Sequence, residues 1–461
     1  MARPRLLEAL PLAGLLAACG LLFARSLDTR ANFDEGVYLA SLDALRHGQA
    51  LGTEVDIPQP PGFYVLLQAV AAIFGNSVTG VRLGFLLVSL AGLLAAYVVG
   101  RHLAGPWGGF AAAALLATTA PYPTLGAQVE ADTVCTVLGL GSIALLVGRS
   151  GGVASSAAAG ALAGAAVSAK LLAAPVAVPI AVLLVARRSW RHAAAFVVGG
   201  AIVVGALLAR YAYALGALYH SVIDEHRRAQ SLGPGLTDNV ERVLLHPVDW
   251  HTPAAVLVPL GVVLAVVLVR RIETAALVAW IVASAAFLVY QRPLLDHHMV
   301  LLATALATTA GAGLGAGVAR LRRRALVGAA AVGVALAAGY AQEYRRLARN
   351  DRPEPPEVRW AVSALRTNTR PDELVGTDIP IAPYLADRRV AGQLIDSSYG
   401  RLNTEVLTTE EILAVLEKER VLAVLVGRNY QSKPDLLAEL ARRYPRRLRN
   451  GYMTLYLKRR A

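Results

Sequence analysis

The stretch Val78–Gly100, VTGVRLGFLLVSLAGLLAAYVVG, carries a single charge, Arg82, near its start. A helix needs about 20 apolar residues to cross a hydrocarbon layer ~30 Å thick, so this stretch predicts a transmembrane helix. Similar runs recur from Leu6 to Tyr340 and then stop. The chain has 461 residues, is 56% hydrophobic and 17% charged, and has a mean hydropathy of +0.50. These values predict a polytopic α-helical membrane protein. About eleven spans are expected, at 6–24, 78–100, 108–124, 132–148, 153–169, 171–186, 193–215, 253–269, 274–290, 298–318 and 325–342.

The formal charge of +13 would suggest nucleic acid in a soluble protein, but the arginines fall in clusters between apolar runs. The partner they imply is the bilayer, and no nucleic acid is expected. With a cytoplasmic N-terminus, the inner loops carry Arg3/Arg5, Arg101, Arg149, Arg187/Arg188/Arg191, Arg270/Arg271 and Arg320/Arg322/Arg323/Arg324. That arrangement obeys the positive-inside rule. Residues 1–350 hold 17 Asp and Glu, of which only Glu8 and Glu273 face inward in this topology. Acids contribute little to orientation, so an external active site is one cause of their segregation. Longer external loops are the other.

Cys19 and Cys135 both lie in apolar segments, so neither a disulfide framework nor a cysteine zinc site is available. LAAC at Leu16–Cys19 resembles a lipoprotein processing site. Because the apolar run continues through Phe23, a retained first helix is expected instead.

Segment 25–77 is too long for a simple connection. Asn32 can cap a helix whose third residue is Glu35, with Tyr38, Leu42 and Leu45 as an apolar stripe. A second helix, Phe63–Phe74, follows PQPPG and is too short to span. Both are expected as amphipathic helices on the membrane surface. The expected domains are therefore 1–350, a transmembrane domain with this outer loop, and 351–461, a small α/β domain. In the latter, ELVGT, VLAVLVG and YMTLYLK read as strands, and 408–419 and 434–443 as helices. With eleven spans the tail lies outside the cytoplasm.

FDEGVYLA, DIPQPPGFYVLLQAVAAIFGNSVTGVRL, QVEADTVCTVLGL and SAKLLAAPVAVPI occur in that order. Together they closely resemble the outer-loop and early-helix motifs of the GT-C glycosyltransferases of family 39, which include protein O-mannosyltransferases and lipid A aminoarabinose transferases. The resemblance covers about residues 25–190. It implies GT-C architecture in a cell membrane, with an extracytoplasmic active site. It further implies a polyprenyl-phosphate sugar donor and a glycan, lipid or protein acceptor, with transfer usually by inversion. It makes Asp34 the general base and Asp132, or its neighbour Glu130, the second functional acid. Arg82 and Lys170 match basic positions of the family.

Read from the residues alone, Asp34 also suits a first helical turn, where the helix dipole favours acids. Glu35 points about 100° away around the helix and is expected as a cap or a ligand to a loop. Asp56 is either a binding residue or a solvated turn residue. Glu130 and Asp132 are pinned in a short outer turn, as sugar or acceptor ligands or as snorkelled charges. Arg82, Lys170, Arg292, His297 and His298 are expected to bind the carrier phosphate or the acceptor. A divalent metal is compatible with Asp296, His297 and His298, but adjacent histidines on a helix point apart and the set is one ligand short of a usual zinc site. DEHRR at Asp224–Arg228 is either a headgroup contact or a solvated run. A transporter or flippase of lipid-linked sugars, or a non-catalytic envelope scaffold, are the rival readings. The first would need acids in the middle of the spans, and none are seen there.

Overall fold

The computed structural model describes residues 3–56, 58–148, 151–233, 235–249, 251–350 and 353–459. Of the expected inner arginines, Arg149 lies outside the described residues. The chain forms two compact units. They are not its sequential halves: one comprises 1–27, 69–209 and 234–351, and the other 28–68, 210–233 and 352–461.

The first unit is a bundle of apolar helices. Among the described residues five are long and apolar enough to cross a membrane: Val78–Ala117, Trp190–Arg210, Ile272–Tyr290, Asp296–Arg320 and Arg322–Arg349. Shorter apolar helices include Glu8–Ala24, Ala131–Val147, Val153–Ala169, Leu171–Arg187 and Ala254–Leu268. The expected spans 78–100 and 108–124 are joined in Val78–Ala117, which is broken at Ala104 and Gly105, before Pro106. Gly105 has φ +70°, a left-handed conformation that glycine adopts without a Cβ clash. The two arms return against each other so closely that a Cβ on Gly100 would lie 2.3 Å from the Gly108 carbonyl oxygen. The second arm ends at Ala117 instead of 124, because Pro121 and Pro123 cannot continue a helix.

Val300–Arg320 is the core of this bundle. Its small-residue run TTAGAGLGAG (308–317) lets neighbouring backbones approach on two sides, as small residues do in membrane helices. A Cβ on Gly311 would lie 2.2 Å from Ala112 Cα, and one on Gly313 would lie 1.8 Å from the Gly261 carbonyl oxygen.

The second unit is α/β. Its sheet has strands β1 (Leu374–Thr377), β2 (Arg389–Val390), β3 (Ala423–Val426), β4 (Arg446–Asn450) and β5 (Met453–Leu457). The order is β2-β1-β3-β5-β4, with β1 parallel to β2 and β3, and the β3–β5 and β5–β4 pairs antiparallel. One face packs on Thr409–Lys418 and Pro434–Arg443, through Ile412, Leu416, Leu436 and Leu440. The other packs on Pro356–Asn368, through Val358, Ala361 and Leu365.

Helix Phe33–Arg46 belongs to this unit. It was expected to lay one face on lipid, but residues 35–42 and Ala44 are all buried. Gly36 permits its approach to the tail: an added Cβ would stand 3.0 Å from the Ile381 backbone nitrogen. Tyr38 packs edge-on against Phe63 at 4.6 Å.

The backbone contact at Gly313 yields a stability test. Gly313→Ala has no room and should lower the apparent melting temperature in detergent, since overpacking costs about 1–3 kcal/mol. Gly317→Ala meets only a leucine methyl, Leu264 Cδ1, at 3.2 Å and should leave the temperature nearly unchanged. Equal behaviour of the two variants would contradict this account of the bundle core.

Candidate active site

Two groups of polar residues, one in each unit, contain most of the expected site residues. In the α/β unit, Asn32 caps helix Phe33–Arg46 as expected, its Oδ1 accepting the Glu35 N–H at 2.7 Å. That places Asp34, half-buried, in the first turn, and leaves Glu35 with no exposed surface. Asp56 accepts a hydrogen bond from Ser221 Oγ at 2.7 Å and forms an ion pair with Arg401. Arg401 also pairs with Glu225, Nε to Oε2 at 2.9 Å, and donates from Nη1 to the Asp396 carbonyl at 2.9 Å. The carboxylates of Asp56 and Glu225 thus flank one guanidinium, and that of Asp396 lies within its electrostatic range. Tyr64, completely buried, has its hydroxyl within electrostatic range of Asp396, Asp56 and Asp34.

Burial dominates the proton affinities here. It pushes the Glu225 carboxyl up to about 8 although Arg401 opposes it, and the Asp396 carboxyl up to about 6 against the same guanidinium. A carboxylate in low dielectric favours its neutral form.

In the helical unit, Asp132 sits in the first turn of Ala131–Val147 with no exposed surface. Lys170, in extended conformation at the end of Val153–Ala169, donates from Nζ to Asp132 Oδ2 at 2.6 Å. His297 and His298 lie on the 3-10 turn Asp296–Met299. One ligand-type atom from each of Asp132, His297 and His298 falls within 4.8 Å of the others. The expectation that adjacent histidines point apart is corrected: both reach the same carboxylate, their ring centroids 4.6 Å apart. Asp296 faces elsewhere, paired with Arg242, which also donates to the Leu294 carbonyl at 2.6 Å. Arg292 is half-buried in the loop before this turn, and Glu130, at the helix N-cap position, is completely buried.

Asp132, His297 and His298 have the residue types of a metal site, but two contacts oppose a cation. The Lys170 ammonium already touches the carboxylate, and His298 Nδ1 accepts the Leu295 N–H at 3.3 Å, which leaves the neutral ring's proton on Nε2. Lysine and two imidazoles around one acid better suit an anionic ligand. Asp132 Oδ1 is buried without a hydrogen-bond partner among the described residues, an acceptor that a ligand hydroxyl can satisfy. Arg82 differs from expectation: it is 1% exposed, and its Nη1 donates to the carbonyls of Ser26 and Leu27 at 3.3 and 2.8 Å. It pins the chain that leaves the first helix.

Sequence reasoning missed Arg401, Asp396, Ser221 and Tyr64, and singled out Glu225 only as part of a charged run. The polar stretch DSSYGRLN (396–403) inside an otherwise apolar strand-and-helix pattern was the available signal.

The family model of dolichyl-phosphate-mannose-protein mannosyltransferases matches residues 58–211. ArnT from Cupriavidus metallidurans, solved with bound undecaprenyl phosphate, superposes with a TM-score of 0.71 at 16% identity, over 96% of this chain and 97% of that one. The oligosaccharyltransferase AglB from Archaeoglobus fulgidus, in complex with an inhibitory peptide and a dolichol-phosphate, gives a TM-score of 0.59 at 13% identity, over 90% of this chain and 69% of that one. No curated protein matches in sequence. The chain therefore has the fold of these proteins. The resemblance to the GT-C glycosyltransferases of family 39, drawn from its motifs, holds at that level.

The Glu225 carboxyl gives a pH test of the α/β cluster. Its folded pKa of about 8 lies above its value in an unfolded chain, about 4.3. The native state therefore holds the extra proton between those values, and the stability Glu225 contributes is full at the acid end and lost as pH rises through about 8. Glu225→Gln removes this dependence. Apparent melting temperatures from pH 5 to 9 should fall less steeply for the variant than for the parent, and parallel curves would show that Glu225 is not held protonated.

Proposed function

We propose that the chain is an integral membrane glycosyltransferase that takes a sugar from a polyprenyl-phosphate carrier and passes it, with inversion, to a glycan, lipid or protein acceptor at the extracytoplasmic face of a cell membrane. The observation that carries this reading is the group of Lys170, His297 and His298 around the buried Asp132. It offers an ammonium and two imidazoles beside an unsatisfied carboxylate oxygen, in a fold shared with a protein crystallised on undecaprenyl phosphate.

In this reading Lys170, His297 and His298 hold the carrier phosphate. Charge-assisted contacts of this kind are roughly twice as strong as neutral ones and stabilise the charge that develops as the phosphate leaves. Asp132 orients the sugar through Oδ1, with Glu130 beside it. Asp34 takes the proton from the acceptor hydroxyl. The acceptor oxygen then bonds to the anomeric carbon, while the bond from that carbon to the phosphate oxygen breaks and its electron pair leaves with the phosphate. Glu35 and Asp56 shape the acceptor side. Arg292 remains a candidate phosphate contact from its loop, whereas Arg82 serves the structure around the site.

Asp34→Asn preserves size and helix propensity in the first turn but cannot accept a proton. General-base assistance is worth about 10²–10⁴-fold. The variant should purify normally, bind polyprenyl phosphate and transfer sugar at least ~100-fold more slowly, while Glu35→Gln loses less. Near-normal transfer by folded Asp34→Asn would remove it as the base.

His297→Ala tests the phosphate assignment separately. Loss of one charge-assisted contact costs on the order of 1.5–3 kcal/mol, so the KM for the polyprenyl-phosphate donor should rise at least ~10-fold with little change for the acceptor. The opposite pattern would assign the cluster to the acceptor.

A further inference from the structure

We infer that the C-terminal region supplies a positioning residue for sugar transfer: Arg401, acting through Asp56, sets the loop that joins the helix bearing Asp34 to the next helix. The inference rests on reading Asp34 as the general base. Arg401 lies on the short helix Tyr399–Asn403, far along the chain from the residues it holds. Its guanidinium meets Asp56 from the first stretch of the α/β unit, Glu225 from the second, and the Asp396 carbonyl within the third. Asp56 in turn receives the Ser221 hydroxyl, which links the first stretch to the second again. A single side chain therefore joins all three segments of the unit.

The same loop is held at its backbone. The Asp56 N–H donates to the Gly392 carbonyl at 3.4 Å, and Gln393 Nε2 donates to the Thr53 carbonyl at 3.2 Å. The Glu54 carbonyl oxygen occupies the place of a Gly392 side chain, 2.2 Å from where its Cβ would stand. These contacts fix the chain between the two helices Phe33–Arg46 and Pro61–Phe74. In the first turn of the helix after this loop, Phe63 and Tyr64 pack edge-on against Tyr38 at 4.6 and 6.4 Å, one turn beyond Asp34.

A stabilising role explains this cluster poorly. The side chains of Arg401, Asp56 and Glu225 are 11%, 18% and 10% exposed, and taking such charges out of water offsets most of their attraction. The folded tail already has two apolar clusters, one on each face of its sheet. What the guanidinium adds is direction, because its planar fork contacts carboxylates at fixed angles and an ammonium does not.

Arg401→Lys in the full-length protein, in detergent with a polyprenyl-phosphate sugar donor, separates the two roles. Lysine keeps the counter-charge and loses the fork. We expect kcat to fall ~10–100-fold, as small misplacements of a reacting group do, with the donor KM within about twofold and the melting temperature nearly unchanged. Asp56→Asn, which reads the same contact from its other side, should behave alike if Arg401→Lys folds poorly. The double variant Arg401→Lys, Asp34→Asn should be no slower than Asp34→Asn alone, because both act through one group. Parental kcat in Arg401→Lys and Asp56→Asn, a loss matched by the loss of folded protein, or multiplying effects in the double variant would each overturn the inference. If Asp34→Asn is slow while Arg401→Lys is normal, only this inference falls. If Asp34→Asn is itself near normal, the base assignment falls and the inference with it.

Discussion

The helical unit depends on how closely backbones approach along Val300–Arg320. Dispersion contacts, hydrogen bonds and lipid entropy, not a hydrophobic drive between helices, hold such bundles together, so absent side chains matter as much as present ones. Glycines 311, 313 and 315 each face backbone atoms of another helix within 2.2 Å or less of an added Cβ. The 3-10 turn bearing His297 and His298 opens directly into this helix. The position of both imidazoles therefore follows from a packing decision made several turns away.

The two polar groups meet the cost of buried acid in different ways. Asp132 has the Lys170 ammonium at 2.6 Å and, among the described residues, keeps one oxygen unpaired. In the α/β unit Arg401 pairs with two carboxylates and lies within electrostatic range of a third, and two of the three take up protons more readily than ordinary acids. The first arrangement keeps a fixed charge next to an open acceptor. The second keeps a geometry whose total charge varies near neutral pH.

Much of this was legible in the sequence where one local rule sufficed. Apolar runs gave the helical segments to within a few residues, Asn32 and Glu35 marked a helix start, and three of five strands stood out by β-branched or apolar content. Strand β4, RRLRN, did not, because it is an edge strand with exposed arginines and carries no alternating pattern. The hairpin inside Val78–Ala117 was read as two spans with a loop, since glycine and proline there signal a break and not a sharp reversal. Lys170, His297 and His298 were picked out individually, but their convergence on Asp132 depends on packing among helices distant in sequence. The cluster on Arg401 was illegible for the same reason: its three carboxylates come from segments separated by more than 150 residues.

That last separation bears on how the protein is made. The α/β unit draws on residues 28–68 and 210–233 but is completed by 352–461, so its first loop emerges long before its strands exist. Contacts of such high sequence separation form late, and the chain must keep their partners apart until then. During synthesis the helix bearing Asp34 waits without the tail it packs on. A nascent chain that has inserted the helices up to Asn350 still lacks the support for Asp34 and Asp56, and assembly of that unit becomes a checkpoint passed only once residues 352–461 have been made.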